Sequence, residues 1–328
     1  MHTLGKGLLL LLTALLAASL LTGCGRKEPL RAAAADSGAA VPGSAAISDE
    51  EVALTEAPAV DTELMPEASG VLVKSNDRAA IDYSNTADGY VMVKYTAATS
   101  RKLKSQVRGP GGTTYTYNIS SGGWTTFPLS DGSGDYRVTV FENISGAKYA
   151  TVLSASFAAA LKDEFAPFLR PNQYVNYTDA VHTVAKAAAL TEGLTDPLEK
   201  VGAVYNFVVG SFTYDRQEAA SVQSGYLPDL DAVLAAKSGI CFDYAALMTA
   251  MLRSQGIPCK LVVGYAGTAY HAWISVYSEE DGWVDAAIYF DGNAWQRMDP
   301  TFASSGGQSE SVMKYIGDGS HYTAKYLY

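Results

Sequence analysis

At 328 residues the chain is long enough for one large domain or two modest ones, and its 48% hydrophobic and 11% aromatic content belongs to a folded body. A formal net charge of -10 argues against nucleic acid as a partner. The same charge sets the body against anionic lipid and polymer, so a hold on a membrane has to come from something other than electrostatics.

Residues 1–22 carry a single lysine, Lys6, then the leucine and alanine run "LLLLLTALLAASLL". Such a run is short for a spanning helix and reads as a secretory leader. It ends in Leu21-Thr22-Gly23-Cys24, which resembles the lipobox of bacterial lipoproteins, in which the cysteine is lipidated. That resemblance implies Cys24 as the lipidation site and an extracellular body held to the bacterial cell membrane through its N-terminal lipid. An ordinary signal peptide cut nearby, or an uncleaved anchor, are the alternatives. Residues 24–70 are rich in Ala, Ser, Pro, Glu and Asp and hold no aromatic residue, so they read as a flexible tether unable to bury a core.

From 71 to 160 the pattern turns to short alternating runs such as "GYVMVKYT", "KLKSQVR", "TTYTYN" and "DYRVTVFE". Turn signals separate them, among them Gly109-Pro110-Gly111-Gly112. Evenly spaced strands of this kind predict a small Ig-like β-sandwich, with a spacer or binding role as its default.

After "FAPFLRPNQY" helical signals take over, and 161–328 reads as a second domain. Asp196 is placed as an N-cap, with Pro197 at the first helical position and Glu199 three after the cap. Leu198, Val201, Val204, Tyr205 and Val208 then repeat at helical spacing. A shorter helix is predicted over Asp229 to Lys237, and Ser238-Gly239-Ile240 leads into another at Cys241 that is apolar on most sides. From Lys260 the period becomes that of strands: "KLVVGYAG", "HAWISVYSE", "GWVDAAIYFDG" and "AWQRMDPTF". Helices followed by an antiparallel sheet make an α+β order.

Cys241 at a helix start meets unpaired backbone N–H groups and the positive end of the helix dipole, which favour a thiolate and can receive an oxyanion. A buried structural cysteine and a disulfide to Cys259 are the competing readings. A helix from Cys241 to about Ser254 rises roughly 20 Å, and Cys259 lies beyond its far end, whereas bridged Cα atoms sit within about 7 Å. Cys241 therefore reads as a free thiol and Cys259 as a small core residue. A thiol nucleophile needs a base; of the histidines, His271 opens a strand that can pack against the Cys241 helix, while His182 falls on a predicted helix.

Taken in order, "GICFDYA", "GIPCKLVVGY", "HAW" and the Trp295 to Phe302 segment "WQRMDPTF" resemble the core of the transglutaminase-like superfamily of papain-like cysteine enzymes, over residues 195 to 303. The resemblance implies a papain-like core of helices on an antiparallel sheet, and a triad of Cys241, His271 and Asp299. One departure matters: "SEEDGWVDAAIYFDGNA" separates the histidine strand from the D-P-T strand. If that insert is itself a strand beside His271, Asp285 becomes the rival to Asp299. Asp243 reads as structural, because a carboxylate so near would oppose thiolate formation. Trp273 reads as packing under the histidine, and Tyr214 as a core tyrosine or an oxyanion donor.

The activity this implies is acyl transfer through a thioester on amide bonds of protein or cell-wall peptide, hydrolytic in preference to cross-linking. The spacing required for metal ligands, a phosphate-binding loop or haem is absent, so no cofactor and no metal are expected. A catalytically silent lipoprotein acting as a binding or scaffold module is the alternative.

Overall fold

Two four-stranded antiparallel sheets fill residues 73–159 of the computed structural model, which describes residues 62–279, 282–285, 288–290, 295–297 and 322–328. Cys24, Asp299 and the leader lie outside the described residues. The strands are β1 (Val73–Ser75), β2 (Ala79–Asp82), β3 (Tyr90–Tyr95), β4 (Leu103–Arg108), β5 (Thr114–Ile119), β6 (Trp124–Pro128), β7 (Gly134–Ser145) and β8 (Lys148–Ala159). One sheet has the order β1-β2-β3-β6 and the other β5-β4-β7-β8. Alternation decides the layering: Leu103, Ser105 and Val107 are buried while Lys104, Gln106 and Arg108 face outward. Val91, Val93 and Phe127 of one sheet meet Val107, Tyr117 and Val138 of the other in a shared core. The predicted sandwich is present.

Helices follow: α1 (Val181–Leu190), α2 (Pro197–Ser211), then β9 (Thr213–Tyr214), α3 (Arg216–Ser221), α4 (Leu230–Ala236), β10 (Ser238–Gly239) and α5 (Cys241–Ser254). The cap expected for α2 forms as Asp196 accepts from the Leu198 N–H at 2.8 Å. Leu198 aside, the apolar repeat read from the sequence is its buried stripe, Val201, Val204, Tyr205 and Val208. α5 is enclosed from Asp243 to Arg253, packed against α1, α2 and α4 and against a third four-stranded sheet. The short α3 was not foreseen, because its six residues show no apolar period; Asp215 caps it by accepting from Glu218 N–H.

The third four-stranded sheet runs β13-β12-β11-β16, from β11 (Cys259–Ala266), β12 (Ala269–Ser278), β13 (Gly282–Asp285) and, after the two-stranded ribbon of β14 (Ile288–Phe290) and β15 (Trp295–Arg297), β16 (Tyr322–Leu327). Gly264 sits where β16 crosses β11: a Cβ there would run into the Thr323 carbonyl, and the register shifts at that residue.

A continuous apolar core joins both layers, and the described residues form one compact unit. The Tyr328 ring packs edge-on against Tyr115 and Tyr117 of β5 and against Tyr174 of the connecting segment. Buried Arg253 donates to the backbone carbonyls of Cys259 (2.8 Å), Arg170 (2.8 Å) and Tyr328 (2.6 Å). Arg170 in turn reaches the Asp88 carboxylate at 3.0 Å. No helix among the described residues is long and apolar enough to cross a membrane.

Candidate active site

Cys241 is the first residue of α5 and is partly exposed, whereas Cys259 is buried, and both are free thiols. The difference follows from position. Cys259 opens β11 beneath α5, with its Sγ 3.6 Å from Thr249 Oγ1, and burial pushes its pKa up to about 11.

The turn into Cys241 is fixed from three directions. Thr213 N–H donates to Lys237 O at 2.9 Å and Asp215 N–H to Gly239 O at 2.9 Å, so β9 and β10 make a short parallel ladder just before the helix. Asp243 Oδ2 accepts from the Ile240 N–H at 2.8 Å, closing the first turn. Gly239 has to be glycine, because a Cβ there would lie 2.8 Å from Asp243 Cβ. From the third side the Tyr226 hydroxyl donates to Asp243 Oδ1 at 2.7 Å, tying the loop after α3 to the helix start.

Burial raises the Asp243 pKa, against the opposing pull of the bonds from Ile240 and Tyr226. Burial also raises the Tyr226 hydroxyl, reinforced by its bond to Asp243. Asp243 is therefore a fully buried helix-start residue, in keeping with its place in the sequence.

Two tyrosines border the thiol. The Tyr214 hydroxyl is raised chiefly by burial, with the Cys241 thiol adding to the shift and the Cys241 backbone N–H, which faces it, opposing. Tyr270 is likewise raised by burial, then by its tyrosine neighbours and by Cys241. Sequence reasoning set Tyr214 down first as a core residue; it is half-buried beside the thiol, because the two-residue β9 carries it to the level of Gly239. Tyr270 and Tyr226 were missed. Tyr270 had a signal in standing next to His271; Tyr226, in a loop, had none. Phe242 completes the surroundings, its ring 5.4 Å from that of Tyr174.

His271 is buried on β12, opposite Gly264. Ala272, Ile274 and Val276 of β12 join the core shared with α5, while Trp273 packs with Val262 in a separate cluster. By alternation His271 shares the Trp273 side. Its ring lies 6.2 Å from that of Trp273 at 23°, and 6.4 Å from that of Tyr322. The influence of Cys241 on Tyr270 sets the start of β12 at the level of the thiol, while the His271 ring lies on the Trp273 side, opposite the face that packs on α5.

The third position divides differently. β13 pairs antiparallel with β12 and sets Asp285 opposite Ser275. Four residues of strand separate that level from His271, roughly 13 Å at the usual rise. β14 of the insert pairs with β15, which opens the Trp295 to Phe302 segment, so the ribbon joins the insert to the D-P-T segment.

Among proteins of known family, residues 184–300 match the family model of the transglutaminase-like superfamily. An uncharacterized protein of Bacillus subtilis, YebA, is 25% identical over 134 residues, 34% of this chain and 18% of that protein. The protein-glutamine gamma-glutamyltransferase of Pseudomonas aeruginosa is 32% identical over 68 residues, 16% of this chain and 10% of its own length. The chain thus spans less than a fifth of either curated relative. A solved structure from Cytophaga hutchinsonii, titled as a candidate cysteine protease, aligns over 73% of this chain and 76% of its own at 15% identity and a TM-score of 0.36. The matched segment begins in α1, takes in α5 and β12, and reaches past β15: the chain carries a domain of the transglutaminase-like superfamily.

Proposed function

We propose that the chain is a cysteine enzyme of amide bonds, with Cys241 as nucleophile, His271 as base and Asp299 as the group that orients the imidazole. The observation that carries this reading is the contrast between the two thiols: Cys241 is partly open at a helix start, and Cys259 is sealed beneath the same helix. His271 stands next to Tyr270, on which Cys241 acts, and that shared level along β12 supports it as the partner, its ring lying on the Trp273 side of the strand. The register of Asp285 opposite Ser275 favours Asp299 over that rival.

In the reaction the Cys241 thiolate adds to an amide carbonyl, and backbone N–H groups at the start of α5 receive the oxyanion. His271 protonates the departing amine, leaving a thioester, and Asp299 holds the ring in one tautomer. Water as acceptor gives a peptidase or amidase, the reading preferred here; an amine gives a cross-link, the activity named in the Pseudomonas relative. The substrate class is protein or cell-wall peptide. Cys24 carries the lipid that holds the body outside the cell, and Cys24→Ala is expected to move it from the membrane to the soluble fraction.

Iodoacetamide at neutral pH is expected to label Cys241 at least about a hundredfold faster than Cys259. Incubation with peptide extracts and hydroxylamine should yield hydroxamates that disappear in Cys241→Ala and His271→Ala. Equal slow labelling of both thiols, with no hydroxamate, overturns the proposal. It would favour a silent scaffold, the second reading, which the burial of His271 on the Trp273 side of β12 supports.

A further inference from the structure

The outer face of the β5-β4-β7-β8 sheet, far in sequence from the thiol, is built as a grid. Pairing across the four strands lines up Thr114, Arg108, Arg137 and Ser156 in one row. Thr116, Gln106, Thr139 and Ser154 make the next. Gln106 donates to Thr116 at 3.2 Å, and the Thr139 and Ser154 hydroxyls lie 3.0 Å apart, so this second row is held in place by its own hydrogen bonds. Lys104 continues the cationic side one row further, between Asn118 and Phe141.

Arg108 and Arg137 are directly opposite one another, and both are exposed. Like charges at facing positions destabilise a sheet. Among the described residues neither guanidinium stands in an ion pair, and the one carboxylate bordering them is Asp135. The two arginines are shared by a pair of adjoining depressions of about 660 and 450 Å³. Apart from Asp135, the polar groups around them are hydroxyls and an amide.

We propose that this face binds an oxyanion carried on a polyhydroxylated chain, a phosphodiester or carboxylate polyol, with Arg108 and Arg137 clamping the anion and the Gln106 row hydrogen-bonding the hydroxyls. Guanidinium forks match such oxygens in bidentate fashion, and an anion between them relieves the repulsion between the two facing cations. Short reach is part of the design: the net charge of -10 opposes any anion at a distance, so recognition falls to direct contact. The site is separate from the thiol chemistry and stands without it.

Calorimetric titration of the folded body, as Cys241→Ala to silence turnover, tests the proposal with poly(glycerol phosphate), polygalacturonate and neutral dextran. One or both anionic polymers should bind, weakening with salt, and dextran should not; the arm that binds tells phosphate from carboxylate. Arg108→Gln with Arg137→Gln should weaken binding by about tenfold or more and melt no lower than its parent, since it removes a repulsion. Lys74→Gln with Lys94→Gln, which makes the same change in net charge off this face, should bind as the parent does. Equal binding by the arginine variant, binding of dextran as strong as that of the anionic polymers, or no binding of either anionic polymer overturns the proposal.

Discussion

Asp243 accepts hydrogen bonds at both carboxylate oxygens, from Ile240 and Tyr226, in a place where burial disfavours its charge. Its pKa in the folded chain is raised above the unfolded value of about 3.9. The sign follows: the folded state holds this proton more tightly, so the associated stability is fully present below the unfolded pKa and is lost as pH rises through the raised folded value. The urea midpoint of the parent minus that of Asp243→Asn should therefore be largest in acid and shrink towards a plateau near neutrality. A difference that grows with pH would mean that the two bonds outweigh burial. Residue-level reasoning from sequence identified this position as structural because a carboxylate so near the thiol would oppose its ionisation, a judgement that needs only local position. It did not identify the partner Tyr226, whose approach depends on how a loop seventeen positions away folds back.

Helices were legible where caps and period agree. Asp196 and Pro197 start α2, Gly239 precedes α5, α2 buries the stripe its spacing foretold apart from Leu198, and α5, read as apolar on most sides, is enclosed. Strands in the sandwich were legible for the same reason, as alternation is written along one segment. Pairing was not. That Asp285 faces Ser275, that β16 closes the sheet beside β11, and that Arg108 faces Arg137 all depend on register between distant segments, which no single stretch records. Tyr214 illustrates the cost: an aromatic residue after an amphipathic helix has the look of core, and only the parallel match of β9 with β10 brings it to the thiol.

Across the whole molecule, the sandwich and the helical layer share their apolar interior through Tyr115, Tyr117, Tyr174 and Tyr328. Arg253 adds a polar tie, since its guanidinium holds carbonyls from the connecting segment, from β11 and from Tyr328 at once. Layers joined this way should melt together. Scanning calorimetry of the folded body should give a single transition, coincident by near- and far-UV circular dichroism. Two resolved transitions would show that the layers hold their structure independently.

The short parallel ladder before α5 has a kinetic consequence. The amide protons of Thr213 and Asp215 are held by the carbonyls of Lys237 and Gly239, so they can trade with solvent deuterium only when the segment leading into Cys241 comes away from β9. Their exchange rates act as a clock on the opening of the nucleophile's own turn, readable without any substrate.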